Sequence, residues 1–132
     1  MADKVRFQSL SNTGDHRGDA FTVPAEMTSF LGRVSDIHVS SIKPGSVRGN
    51  HYHKKKRRAI VIFHESDWSF HWDEGENTSL QSRSFCGQGA EIVFIEPNAS
   101  QAVRNTGNRT LVLVAFSSEP YDPQETVARK VT

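Results

Sequence analysis

The chain has 132 residues, 36% of them hydrophobic, and a formal net charge of +1 from 16 Lys and Arg against 15 Asp and Glu. That length suits one domain with a single core, and the composition excludes a disordered chain. The near-neutral balance argues against a protein that coats nucleic acid over a whole face.

The N-terminal MADKVRFQSL lacks the apolar stretch of a signal peptide, and no apolar run reaches membrane-spanning length. A single cysteine, Cys86, cannot form an internal disulfide. These features read as a cytoplasmic enzyme or binding protein with no membrane partner.

In chain order, a short strand is expected over Phe21–Val23. PAEMTSFLG (24–32) is the one helical stretch, with Pro24 near its start and Gly32 near its stop. A strand follows over Ser35–Ile42. The clearest strands come next: AIVIF (59–63), WSFHW (68–72), EIVFI (91–95) and LVLVAF (111–116), rich in branched and aromatic residues. Gly, Pro and Asn in DEGEN, CGQG, EPNAS and NTGN supply the turns between them. No long amphipathic helix is available to cross over a parallel sheet, so the chain reads as all-β, a sandwich or barrel. It forms one unit, residues 1–132, with no linker or repeat. In WSFHW, Trp68, Phe70 and Trp72 alternate onto one face. Core packing is the first expectation for that face, and a flat wall for a sugar or base the second.

The stretch GSVRGNHYHKKKRR (45–58) places His51 and His53 two apart, so in extended backbone both imidazoles point to one side. That pair suits a metal, proton transfer near neutral pH, or simply an exposed basic loop. Gly45 and Gly49 allow a sharp turn or a close approach to a ligand.

Gly45, His51 and His53, then AIVIF, and about forty residues later EIVFIEPNASQAVRNTG with Pro97 and Asn105, resemble the two motifs of the cupin superfamily. VRGNHYHK is similar to the RGxHxH signature of cupins that act on nucleotide-linked sugars. These include deoxysugar 3,4-ketoisomerases, dehydrorhamnose 3,5-epimerase relatives and capsule-biosynthesis cupin domains. GDHRGD (14–19) and SSEPYDPQET (117–126) resemble the two ends of those domains, so the likeness spans about 15–126.

The resemblance implies a double-stranded β-helix, a cupin jelly-roll barrel with little helix, working as a homodimer on a nucleotide sugar. It implies sugar-nucleotide isomerase or epimerase chemistry on a 4-keto-deoxyhexose in surface-polysaccharide synthesis. His51 would be the base and His53 its partner or a second base. Arg48 would bind the diphosphate or polarise the carbonyl, with Asn50 and Arg58 also on the substrate. Tyr121 is given no catalytic role, its expected duty being packing or subunit contact.

Two positions depart from the cupin pattern. The usual metal-site glutamate falls at Arg57 or, by the better alignment, Arg58, and the usual second-motif histidine falls at Gln101. No cofactor is therefore required, and a divalent Zn, Ni or Fe would be held only weakly by His51, His53 and Gln101. Two rival functions remain: a non-catalytic cupin binding a small molecule or carbohydrate, and a metal-dependent cupin such as a dioxygenase.

Of the cations Lys54 to Arg58, part is expected to be a solvated strand entrance, and the inward members to meet phosphates. Nucleic acid is the last choice, because no aromatic residues interleave. His16, His38, His64 and His71 are expected as surface or hydrogen-bonded core residues, with His64 or His71 able to project into the barrel. Cys86 is expected as a buried thiol beside a turn.

Overall fold

A computed structural model describes residues 3–132. Its elements are β1 (Val5–Ser9), α1 (Glu26–Leu31), β2 (Asp36–Ile42), β3 (Val47–His53), β4 (Arg58–His64), β5 (Trp68–Asp73), β6 (Gln81–Phe85), β7 (Gly89–Ile95), β8 (Ser100–Asn105), β9 (Leu111–Ser117), a 3-10 turn (Pro123–Glu125) and β10 (Thr126–Ala128). They form two five-stranded antiparallel sheets, ordered β1-β7-β4-β9-β2 and β10-β3-β8-β5-β6. Nearly every connection alternates between the sheets or reverses within one, which gives the expected jelly-roll barrel of the cupin type.

The interior lies between the sheets. Ile60 and Ile62 of β4, Val93 and Ile95 of β7, and Leu111 and Leu113 of β9 meet Trp68, Phe70, Trp72 and Val103 of the second sheet. The aromatic face of WSFHW thus packs inward. Trp68 stacks on Phe85 at 4.2 Å, and Phe7 meets Phe70 and Trp72 edge-on at 5.4 and 5.2 Å. Each such buried ring contributes about 2–3 kcal/mol of transfer free energy.

On the outer face of the first sheet, Met27 and Leu31 of α1 cover Ala59, Ile92 and Phe94. The central strands β4 and β7 are therefore buried on both faces, which is why AIVIF and EIVFI run apolar without alternating. Gly32, at φ 76°, ends the helix by donating its N–H to the Thr28 carbonyl.

Three local expectations are corrected. Phe21–Val23 is not a strand: Phe21 makes one isolated bridge to Asn12, and both apolar side chains pack over the second cluster before Pro24. Cys86 is exposed, because the turn after β6 carries it away from the core. β1 and β6 lie at sheet edges with few buried residues, so their sequences VRFQS and QSRSF lack a strand's apolar signature. Among the described residues no helix is long and apolar enough to cross a membrane.

Candidate functional site

β3 lies between β10 and β8 in the second sheet, and the loop after it leads into β4 of the first. This connection brings the HxH pair of one sheet against the inner face of the other. A cavity of about 150 Å³ opens there, lined by His51 and His53 of β3, Lys56 and Arg58, and Asp36 and His38 of β2. Ala115, Ser117, Tyr121 and Thr126 complete its wall. The two imidazoles do project together, with ring centroids 5.0 Å apart and planes at 67°.

Two of the five cations enter, one from the loop between β3 and β4 and one from the start of β4. Lys56 and Arg58 point inward, whereas Lys54, Lys55 and Arg57 are exposed. Arg57 pairs instead with Glu96 at 3.3 Å. Lys56, only 5% exposed, borders the cavity. The same parity on β2 places Asp36 and His38 on the side of the core residue Ile42.

His53 is saturated by its neighbours. Arg58 Nη1 donates to its Nε2 at 3.2 Å, so the ring proton sits on Nδ1. Glu125 Oε1 and Thr126 Oγ1 both lie 3.1 Å from that Nδ1. Burial, then the charges of Arg58, Lys56 and His51, push the His53 pKa down to about 2. The ring thus bridges Arg58 and Glu125 in the cavity wall. Arg58 itself is lowered by burial to about 10, opposed by Glu125 and Asp36, and it remains a cation at neutral pH.

His51 differs. Gln101 Nε2 lies 3.1 Å from His51 Nε2, and a hydrogen bond joins the ring to the Gly49 backbone. Burial and the charge on Arg58 lower its pKa, so the ring is neutral at pH 7 with Nε2 as its basic atom.

Neither Arg48 nor Asn50 joins this cavity. Arg48 is exposed and donates Nε–H to the Ser41 carbonyl at 2.8 Å, at the far end of β3. The Asn50 side chain accepts the N–H groups of Val131 and Thr132, at 2.8 and 3.1 Å. Neither side chain lines the cavity, since Arg48 Nε and Asn50 Oδ1 are engaged with backbone elsewhere. The sequence reading missed Asp36, His38, Lys56, Ser117, Tyr121 and Glu125. Parity with Arg58 and Ile42 could have found Lys56, Asp36 and His38. No local signal marks Glu125, which a chain reversal after β9 returns to β3.

The metal set His51, His53 and Gln101 does not fit an ion as arranged. A guanidinium hydrogen occupies Nε2 of His53, and an amide hydrogen occupies Nε2 of His51. A divalent charge there would also meet Arg58, at about 4 kcal/mol per unit charge for a 4 Å separation and an effective dielectric of 20. Among the described residues no group of three or more His, Cys, Asp or Glu is placed to hold a metal. His64 does project inward, but its Nδ1 bonds the Gly87 carbonyl at 2.7 Å; His71 faces outward, 2.8 Å from Ser69 Oγ.

Solved structures share this fold. A histidine-to-asparagine mutant of the 3,4-ketoisomerase QdtA from Thermoanaerobacterium thermosaccharolyticum, in complex with TDP-4-keto-6-deoxyglucose, matches with a TM-score of 0.69 and 13% identity over 96% of this chain and 88% of that one. ChmJ, a 3'-monoepimerase from Streptomyces bikiniensis in complex with dTDP-quinovose, matches at 0.78 and 17% over 95% and 69%. The capsular polysaccharide assembling protein CapF from Staphylococcus aureus matches at 0.66 and 20% over 92% of this chain, which spans only 34% of CapF. No curated protein matches in sequence. The family model described as "Polysaccharide biosynthesis C-terminal domain" matches residues 13–127, and the chain belongs to that family.

Proposed function

We propose that the chain is a sugar-nucleotide isomerase or epimerase, acting on a dTDP- or UDP-linked 4-keto-6-deoxyhexose in surface-polysaccharide synthesis. One observation carries the reading: a neutral imidazole, His51, shares a cavity with two inward cations, Lys56 and Arg58. The likeness to QdtA and ChmJ, whose structures hold TDP-sugars, supports the choice of ligand.

In this reading the ligand displaces the Gln101 amide, and His51 Nε2 takes the proton from the carbon beside the keto group. The C–H electron pair becomes a C=C bond, and the carbonyl pair moves onto oxygen. Lys56 and Arg58 hold the resulting enolate by charge. Return of a proton to the opposite face of the same carbon gives the epimer. Its return to the former carbonyl carbon, with the proton of the neighbouring hydroxyl passing to the enolate oxygen as that hydroxyl becomes the ketone, gives the isomer. Neither route changes the net oxidation state, so neither draws on a redox cofactor. A second hollow of about 360 Å³ shares Tyr121 but presents three carboxylates, Glu119, Asp122 and Glu125, against the one cation Lys55, which disfavours a diphosphate there.

Incubation with dTDP-4-keto-6-deoxyglucose in heavy water tests the reading. Deuterium at a ring carbon, lost in His51→Ala without loss of fold, is the expected result. Neither exchange nor binding of the nucleotide sugar would overturn it.

A second reading, a non-catalytic cupin that binds a small molecule or carbohydrate, is favoured by one fact: both nitrogens of each imidazole already have partners. Saturable binding without exchange would select it. We further infer a homodimer across the edge strand β2, where Ile37 and Val39 are 59% and 66% exposed on the outer face. Sedimentation of the protein against Val39→Lys checks this, with a dimer expected only for the parent. The active unit is taken as the single domain of residues 1–132.

A further inference from the structure

The register of β3 changes at one residue. Val47, Arg48 and Gly49 pair with Arg104, Val103 and Ala102, but it is His51 that then pairs with Gln101. Asn50 is an inserted residue, a β-bulge, held at φ 59°. Side chains alternate along a strand, so one inserted residue exchanges the faces of everything beyond it. Gln101 shares its face with the core residue Val103. Without the insertion His51 would oppose Ser100, on the other face of the sheet, and both imidazoles would leave the cavity.

The bulge is tied down by residues far along the chain. Asn50 Oδ1 accepts from Val131 N and Thr132 N, and its carbonyl accepts from Arg129 N at 2.8 Å. These residues are anchored in turn: Arg129 pairs with Asp73 at 3.0 Å, Arg104 Nη2 donates to Thr132 Oγ1 at 3.0 Å, and Val131 is 2% exposed. Asparagine tolerates this left-handed conformation better than most residues, and its side chain here satisfies two backbone donors at once.

We propose that Asn50 and the 129–132 segment form a strap that fixes the β3 bulge and thereby aims His51 into the cavity. Asn50 is a positioning residue, and its part in a reaction rests on the isomerase reading. The strap itself does not.

The test compares Asn50→Ala with Asn50→Asp, which keeps the acceptor oxygen. Cross-strand NOEs report whether His51 sits against Gln101 or slips toward Ser100, and steady-state kinetics on dTDP-4-keto-6-deoxyglucose are read beside them. In Asn50→Ala the His51–Gln101 NOEs should be lost and kcat should fall about 100-fold, with a much smaller change in KM. In Asn50→Asp both should stay near the parent. If Asn50→Ala fails to fold, a chain ended after Lys130 keeps Asn50 and removes both N–H donors, and the same loss of NOEs is expected there. Retention of the His51–Gln101 register in whichever variant folds would overturn the proposal, as would Asn50→Asp behaving like Asn50→Ala. Lack of turnover in the parent would sink the isomerase reading and leave the register result standing.

Discussion

Arg58 Nη1 lies 3.2 Å from Nε2 of His53, so a guanidinium occupies the nitrogen that a cupin histidine would otherwise offer to an ion or a proton. The pair divides the HxH motif into unequal halves: His53 is held neutral as part of the wall, and His51 keeps the basic atom.

Arg58→Met should therefore release His53. The Arg58 charge stands second only to burial among the causes that lower its pKa, and Glu125 remains beside Nδ1 to stabilise an imidazolium. NMR titration of the imidazoles should show the His53 pKa rising from about 2 toward its ordinary value. An unmoved titration would mean that burial alone sets it.

Stability should fall on acidification. The folded His53 pKa lies below the value near 6.5 of an unfolded histidine, so between those values the unfolded chain binds the extra proton. This contribution is present above pH 6.5 and is lost as pH falls, by at most about 1.4 kcal/mol per pH unit for this one ring. Urea unfolding at pH 7 and pH 5 measures the slope, and Arg58→Met should flatten it.

Gly49→Ala should be strongly destabilising. Gly49 has φ 111°, and an added Cβ would lie 2.6 Å from the Gln101 carbonyl oxygen and 2.8 Å from the Ala102 Cα, both backbone atoms. Strain plus forced separation of β3 from β8 amounts to about 2–5 kcal/mol, a large part of an ordinary domain's stability. A denaturant midpoint near the parent's would show that β3 can move away without cost.

Added zinc, nickel or iron should leave the melting temperature where a chelator leaves it. An ion that binds the folded state alone raises that temperature by mass action. One ion per chain after gentle purification, with such a rise, would show that Arg58 can swing away from the imidazoles.

The barrel was legible because β4, β7 and β9 carry runs of branched residues, and the site was legible because the HxH pair sits beside them. The resemblance placed Arg58 and Gln101 at the usual metal-ligand positions, and both do face inward. Arg48 and Asn50, placed on the substrate by the motif resemblance, lie outside the cavity lining. Asn50 is the bulge residue itself and bonds the 131–132 backbone, and Arg48 sits near the start of β3, where it bonds the Ser41 carbonyl of β2. Glu125 was beyond reach, since seventy residues separate it from the Lys55 amide that it accepts at 2.8 Å.

Trp72 opposes Gln101 and packs in the core with the fully buried Trp68 and Phe70, and the cavity at the histidines encloses only about 150 Å³. Depth is consequently rationed to about one pyranose ring, and whatever is attached to that sugar must lie across the rim. On the proposed reading, preference among attached groups would be altered by exchanging the loop of Lys54 and Lys55 or the stretch around Tyr121, while the aromatic core stays untouched.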